Sequence, residues 1–184
     1  MSKIKVGING MGRIGRTLVR QLAISPSDQI ELVAVNNPGD PNIYTHLIKY
    51  DSVHSTFPDK VHYDGEYLNV GQNQIKFFGE RDPANIAWSD AGVQIVIDAT
   101  GKFKSQEDLS KHIKGSVKKA LLCAPGSNVD KTIVMGINHQ DYNPEEHHVI
   151  SNASCTTNCL APIVKVLHDE YGIENGFMTT IHSY

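Results

Sequence analysis

Lys3-Ile4-Lys5-Val6-Gly7-Ile8-Asn9-Gly10-Met11-Gly12-Arg13-Ile14-Gly15 is the stretch on which the fold of this chain turns. Residues 3–9 alternate in polarity as a strand does, and residues 12–24 carry Ile14, Leu18 and Leu22 at helical spacing. The glycines therefore sit between a strand and a helix, the context that gives G-x-G-x-x-G its mechanism. Gly10 permits a tight turn, Gly12 lets backbone approach a pyrophosphate, and Gly15 lets the helix pack closely on the strand. The helix N-terminus then offers unpaired N–H groups and a positive dipole end to phosphates. An ordinary strand-to-helix turn is the competing reading, and the context weighs against it.

The same fingerprint wants an acidic residue ending the second strand, about 20 residues on, to hold the ribose 2′-hydroxyl of NAD. That strand reads as the apolar run Ile30 to Val35, followed by Asn36 and Asn37. The nearest carboxylate, Asp40, lies beyond Pro38 and Gly39. An amide hydrogen-bonds a hydroxyl but does not repel a 2′-phosphate by charge. A dinucleotide cofactor is expected, with NAD preferred and NADP possible.

Outward from the motif, strand and helix patterns alternate. Pro41 opens a helix whose buried side is expected from Ile43, Leu47 and Ile48. Residues 60–78 mix β-formers with Gly and Asn turn signals and read as antiparallel hairpins. Val93 to Ala99, Val117 to Cys123, Ile133 to Ile137 and His148 to Ser151 read as strands. Ser105 is placed to cap a helix running to Ile113, with Asp108 in a capping-box position. Ser154 to Tyr171 reads as a helix with a kink expected at Pro162, and Asn175 to Ile181 as a last strand. This is the pattern of an α/β fold, a Rossmann-type doubly wound, mostly parallel sheet. A lone terminal strand leaves backbone unpaired, so the chain reads as stopping inside a second unit. The expected division is a dinucleotide-binding domain over residues 1–151 and the start of another domain over 152–184, comprising its first helix and strand.

Composition narrows the function classes. The chain has 184 residues, of which 40% are hydrophobic, enough for a core and too many for a disordered chain. A formal charge of −3 argues against a nucleic-acid or anionic-membrane surface. No apolar run approaches the roughly 20 residues of a membrane span. Three cysteines do not make a disulfide framework, and no cluster has metal-ligand spacing. A reducing, cytoplasmic setting without a metal site is the expectation.

Cys155 follows a strand at the start of a helix, within Ser151-Asn152-Ala153-Ser154-Cys155-Thr156-Thr157-Asn158-Cys159. A thiolate is stabilised at a helix N-terminus by the dipole and by free N–H groups, which makes Cys155 a candidate nucleophile. Ser154 and Thr156 add hydroxyls suited to a phosphate or an oxyanion. A buried inert cysteine is the competing reading and describes Cys123 well. The candidate base is His182, 27 residues after Cys155, at the end of the last expected strand. A chain that returns antiparallel to the helix brings His182 back beside the helix start. The other eight histidines read as lying on loops, turns or mixed faces.

Lys5 to Arg16, Glu80-Arg81-Asp82-Pro83-Ala84-Asn85, Ser151 to Pro162, and Thr179-Thr180-Ile181-His182 occur in this order in phosphorylating glyceraldehyde-3-phosphate dehydrogenases, and the chain resembles that family along its whole length. The resemblance implies that Cys155 attacks the aldehyde of glyceraldehyde 3-phosphate. It implies that His182 activates the thiol and takes the hydroxyl proton, and that inorganic phosphate then releases 1,3-bisphosphoglycerate. Ser154, Cys155 and Thr156 match substrate-contacting positions. Asn9, Gly10, Gly12, Arg13, Ile14, Asn37, Arg81 and Cys123 fall on dinucleotide-contacting positions, with Thr100 and Gly101 nearby. A homo-tetramer is implied for the complete enzyme. Asn37 stands where the family usually has Asp, Cys123 where it commonly has Ser or Thr, and Met11 where it usually has Phe. The chain covers about half the family's length and stops one residue before a threonine that helps to hold substrate phosphate. Erythrose-4-phosphate dehydrogenase, a semialdehyde dehydrogenase and a non-catalytic dinucleotide-binding fragment are the alternatives; the last is the expectation for the chain acting alone.

Overall fold

The alternating apolar runs assemble into one sheet because each buries both faces. The computed structural model describes residues 2–182. Its strands are β1 Ile4–Asn9, β2 Ile30–Asn36, β3 Tyr50–Asp51, β4 Ser55–Thr56, β5 Val61–Tyr63, β6 Tyr67–Val70, β7 Asn73–Phe78, β8 Ile95–Asp98, β9 Lys119–Leu122, β10 Lys131–Thr132 and β11 Val149–Ser151. Its α-helices are α1 Arg13–Ile24, α2 Pro41–Lys49, α3 Gln106–Ser110 and α4 Cys155–Tyr171. The main sheet runs β10-β11-β9-β8-β1-β2-β7-β6-β5. It is parallel from β10 to β7, and the β5-β6-β7 meander continues it antiparallel on one side.

Strand alternation separates the two faces. Ile8, Val35, Ile97 and Phe77 share one cluster with Val19, Leu18 and Leu22 of α1 and Ile48 of α2. Their neighbours in sequence, Ala34, Val96 and Phe78, pack against Trp88 on the other face. Further along that face, Leu109 of α3 meets Ala120, Leu122 and Val149. The sheet is thus covered on both sides, as a doubly wound fold requires.

Several expectations are corrected. Ile14 and Ile43 are exposed, at 50% and 55%, because α1 turns Gly15 and Val19 toward the sheet and α2 buries, of its three expected residues, Ile48. Arg20 of α1 is buried and donates to the carbonyls of Ile48, His54 and Ser55, so a charged residue holds the end of α2 and the β3–β4 hairpin. Ser105 caps α3, accepting from Asp108 N at 3.1 Å, but the helix ends at Ser110, and Asp108 accepts from the Ser105 hydroxyl rather than from its backbone N–H.

The strand expected over 133–137 lies instead at Lys131–Thr132. Asn138 Oδ1 takes the N–H of Val134 at 2.8 Å and turns the chain away from β11. Helix α4 continues from Cys155 to Tyr171 with Pro162 inside it. The strand expected over 175–181 is absent: those residues have no ladder partner among the described residues, and a strand is stabilised only by pairing.

Candidate functional site

Strands β1, β2 and β8 end in Asn9, Asn36 and Asp98, and the strand order reverses between β1 and β8. Such a reversal opens a crevice at the carboxyl ends of a parallel sheet. Here it is a cleft of about 290 Å3 lined by Asn9, Gly10, Gly12, Asn37, Pro38, Glu80, Arg81, Ala99, Thr100, Lys102 and Phe103. A cavity of similar size, about 310 Å3, opens at the opposite edge beside Lys3, Ile30 and Glu31. That one has no glycine turn and no helix N-terminus.

Each glycine of the turn does a different job. Gly10 has φ +97°, and a Cβ there would lie 2.8 Å from Thr100 N. A Cβ on Gly15 would lie 1.9 Å from Gly10 O, so the closeness of α1 to the turn depends on glycine. Gly12 meets nothing within 4 Å, which leaves open space over its backbone. Gly12 is also the N-cap of α1 and provides no side-chain cap, whereas α2, α3 and α4 are capped by Asp40, Ser105 and Ser154. The first-turn N–H groups of α1 thus lack a side-chain partner at the cleft, the arrangement that accepts phosphate. The residues present fit a dinucleotide.

Of the residues singled out from sequence, Asn9, Gly10, Gly12, Asn37, Arg81 and Thr100 line this cleft. Asn37 Oδ1 accepts from Met11 N at 2.9 Å, and its amide donates to the Tyr44 hydroxyl, so Asn37 braces the glycine turn. Arg13, Ile14, Gly101 and Cys123 do not line it. The Arg13 guanidinium pairs with Asp51, which leaves the backbone N–H groups of Arg13 and Ile14 as their contribution at the helix start. Two backbone N–H groups, from His54 and Val53, together with Arg13 hold the Asp51 carboxyl down at about 2. Cys123 is half-buried, and burial with the nearby Asp98 pushes its thiol up to about 11.

The second constellation is built on the start of α4. Ala153 adopts φ +55° and is buried, and its N–H donates to Ser151 Oγ at 3.1 Å. Asn152 N donates to Leu122 O at 2.9 Å, and Asn158 Nδ2 donates to the carbonyls of Asn152 and Ser154. These bonds tie the turn before Cys155 to the carboxyl ends of β9 and β11. Cys155 is exposed at the first position of the helix. Ser154 Oγ accepts from Thr157 N at 2.9 Å and contacts Thr157 Oγ1 at 2.7 Å, so its oxygen is engaged as the helix cap.

Even without a terminal strand, the chain returns along α4. A groove of about 340 Å3 is lined by Cys155, Thr156, Cys159, Leu160, Ile163 and residues 178–182. His182 Nε2 lies 3.4 Å from Thr156 Oγ1 and 2.9 Å from Thr180 Oγ1. The cysteine and histidine therefore share one groove, while no residue lines both this groove and the glycine cleft.

With this geometry in view, comparison with known proteins is decisive. Residues 4–106 match glyceraldehyde 3-phosphate dehydrogenase, NAD binding domain, and residues 154–184 match the C-terminal domain of the same family. The chain belongs to the glyceraldehyde-3-phosphate dehydrogenase family. It is 52% identical over 181 residues to the glyceraldehyde-3-phosphate dehydrogenase of Geobacillus stearothermophilus, covering 98% of this chain and 53% of the relative. It is 49% identical to glyceraldehyde-3-phosphate dehydrogenase 1 of Bacillus cereus and to the enzyme of Chlamydia pneumoniae, at 98% and 53% coverage in both cases. The chain spans about half the length of the curated relatives it matches. The match of residues 4–106 to the NAD binding domain supports NAD as the cofactor. No helix among the described residues is long and apolar enough to cross a membrane.

Sequence reading missed part of this cleft. Lys102 and Phe103 line the cleft, and Glu80 lies beside Arg81 with both its backbone groups bonded to Asn36. His112, one of the histidines read as lying on loops, turns or mixed faces, is fully buried between Trp88 and Asp98. A signal was present: three apolar strands each end in an amide or carboxylate residue, an unlikely choice for a core position without partners.

Proposed function

We propose that the protein of which this chain is a part oxidises glyceraldehyde 3-phosphate with inorganic phosphate to 1,3-bisphosphoglycerate. Residues 1–151 serve as the dinucleotide-binding domain, and residues 152–184 open the catalytic domain. The observation that carries the reading is the groove shared by Cys155 and His182 at the start of α4.

In this reading the Cys155 sulfur attacks the aldehyde carbon to form a thiohemiacetal, and His182 takes the hydroxyl proton as that carbon is oxidised. NAD, when bound, is the hydride acceptor. Thr156, beside His182 Nε2, and the N–H groups of Cys155 and Thr156, which the Ser154 cap leaves free, face the charge that develops on the substrate oxygen. Phosphate attack on the resulting thioester restores the thiol. Glycine-turn N–H groups, Arg81 and Asn37 hold the dinucleotide, with NADP accepted to a lesser degree. The complete enzyme is a homo-tetramer acting in the cytoplasm, without nucleic-acid or membrane partners.

The chain alone supports a narrower reading. Helix α4 buries no residue, and residues 172–182 form no strand, so the base is held by few contacts. Misplacing reacting groups by about 1 Å costs about a hundredfold in rate. The 184-residue chain is therefore expected to bind NAD but to form NADH at least about a hundredfold more slowly than a full-length version. That full-length version should prefer glyceraldehyde 3-phosphate over erythrose 4-phosphate and lose activity on Cys155→Ala. Better turnover of erythrose 4-phosphate would reassign the substrate, and activity surviving Cys155→Ala would remove the nucleophile.

A further inference from the structure

Asn36, Asn9 and Asp98 are the last residues of three adjacent strands and stand in register across the sheet. All three are buried, at 1%, 2% and 0% exposure, on the face that also packs Trp88. Their hydrogen bonds have one direction. Asn36 is pinned by the Glu80 backbone, accepting from its N–H at 2.8 Å and donating to its carbonyl at 2.9 Å. The Asn36 amide therefore donates to Asn9 Oδ1 at 2.8 Å, which leaves Asn9 Nδ2 to donate to Asp98 Oδ2, also at 2.8 Å.

From the other side, Trp88 Nε1 lies 3.1 Å from His112 Nδ1. An indole N–H only donates, so His112 Nδ1 carries the lone pair and Nε2 carries the proton. That proton points to Asp98 Oδ2, 3.4 Å away. Asp98 Oδ1 accepts from Thr100 N at 3.0 Å and from Thr100 Oγ1 at 2.6 Å. Donors from three sides converge on one fully buried carboxylate. Thr100 Oγ1 in turn accepts from Lys102 N at 3.1 Å, shaping the wall of the cleft.

We infer that Asp98 is the positioning residue of the dinucleotide cleft: as the buried acceptor at the end of a one-way hydrogen-bond chain, it locks the Thr100 wall to the Glu80–Arg81 wall. It does not line the cleft, so it acts through Thr100 and Asn9. The inference rests on the reading of this cleft as the NAD site.

Asp98→Asn tests it, because an amide has one acceptor oxygen and every donor here needs one. With its oxygen toward Thr100, the new NH2 meets Asn9 Nδ2 and the His112 N–H; turned round, it meets the Thr100 N–H. Three measurements on the 184-residue chain follow. By 15N NMR, His112 should be the neutral Nε2–H tautomer; a proton on Nδ1 overturns the proposal, even should the variant not fold. In Asp98→Asn, NAD titration should show at least tenfold weaker binding, and the Thr100 amide should exchange at least tenfold faster.

The double variant Asn9→Asp with Asp98→Asn moves the carboxylate one strand over, where it accepts from the Asn36 amide, from the amide introduced at position 98 and from His112 Nε2, which lies 3.5 Å from the Asn9 side chain. It should recover Thr100 protection, a result that lost packing alone would not produce. Asp98→Asn binding NAD as the parent does, unchanged Thr100 exchange, or no recovery in the double variant would each overturn the inference. A parent chain that does not bind NAD would instead sink the reading of the cleft, while the His112 and Thr100 measurements still judge the role of Asp98.

Discussion

Helices α1 and α4 both begin at the carboxyl edge of the sheet, yet they are held there by opposite means. Helix α1 lacks a side-chain cap but buries Gly15, Val19 and Arg20. Helix α4 is capped by Ser154 but buries none of its 17 residues, and Ile163, Val166 and Leu167 stand exposed. Packing of an apolar face is what fixes most helices in proteins. A helix located by its core contacts can leave its first N–H groups free for a ligand. A helix located only by its first turn needs its hydroxyls there for itself. The dinucleotide end of the site is therefore preformed within this chain, and the cysteine end depends on a handful of polar contacts between Ser151 and Asn158.

The widest gap should appear among the thiols. Cys123, with its thiol pushed up from 9.0 to about 11, is ionised about a hundredfold less at neutral pH than an ordinary thiol. Iodoacetamide with mass mapping should therefore modify the exposed Cys155 at least about a hundredfold faster than Cys123. Cys159, also exposed but one turn into α4, is expected to fall between them; equal rates at 155 and 159 would show that the helix start confers no advantage.

The glycine turn allows the same contrast within α1. Gly15→Ala places a Cβ 1.9 Å from Gly10 O, and overpacking of this kind costs about 1–3 kcal/mol, outweighing the gain of about 1 kcal/mol in helix propensity. Gly12→Ala meets open space and should change stability by less than about 1 kcal/mol while filling the approach to the phosphates. Urea unfolding and NAD titration of both variants separate the two effects. A Gly12→Ala chain that binds NAD normally would break the assignment of the free N–H groups to the cofactor.

A smaller effect is expected at Asn37. Asp in its place still accepts from Met11 N and from the Tyr44 hydroxyl, but adds a charge to the lining of the cleft. The NAD-to-NADP affinity ratio should rise about tenfold in Asn37→Asp, since a like-charge clash in a partly wet site is worth about 1–3 kcal/mol. An unchanged ratio would leave Asn37 as a brace of the turn only.

The smallest effect concerns the tie between Arg13 and Asp51. Because the folded carboxyl lies at about 2, below its ordinary value near 3.8, Asp51 contributes stability that is present above pH about 4. That contribution is lost as pH falls from about 4 through about 2. The unfolding midpoints of the parent and Asp51→Asn should differ most near pH 6 and converge toward pH 2. A gap that stays constant with pH would mean that the ionised carboxylate does not brace the start of α1.

Much of this was legible in residues 3–15, where polarity alternation and glycine spacing each carry a local physical cause. The hairpins over 60–78 and the cap at Ser105 were legible for the same reason. Less legible was the strand at Lys131–Thr132, because a side chain four residues on, Asn138, competes for the backbone of Val134 and ends the pairing. The expected strand over 175–181 had the right residues, but pairing is not a property of the residues alone. Ile14 and Ile43 fit a helical stripe and still face outward, because the sheet decides which side of each helix is buried.

By itself, the sequence determined the local devices of this protein: a strand, a three-glycine turn, an uncapped helix start, and a cysteine one residue after a serine cap. Periodicity and turn chemistry act over a few residues, so they are written in the order of the chain. Only the tertiary structure decided that Asn36, Asn9 and Asp98 form a single tier, that Trp88 sets the tautomer of His112, and that His182 returns to the groove of Cys155. Those relations depend on sheet register and on the return path of the chain. They join residues tens of positions apart, and hydrogen-bond direction becomes definite only when water is excluded and each buried donor must find its own acceptor.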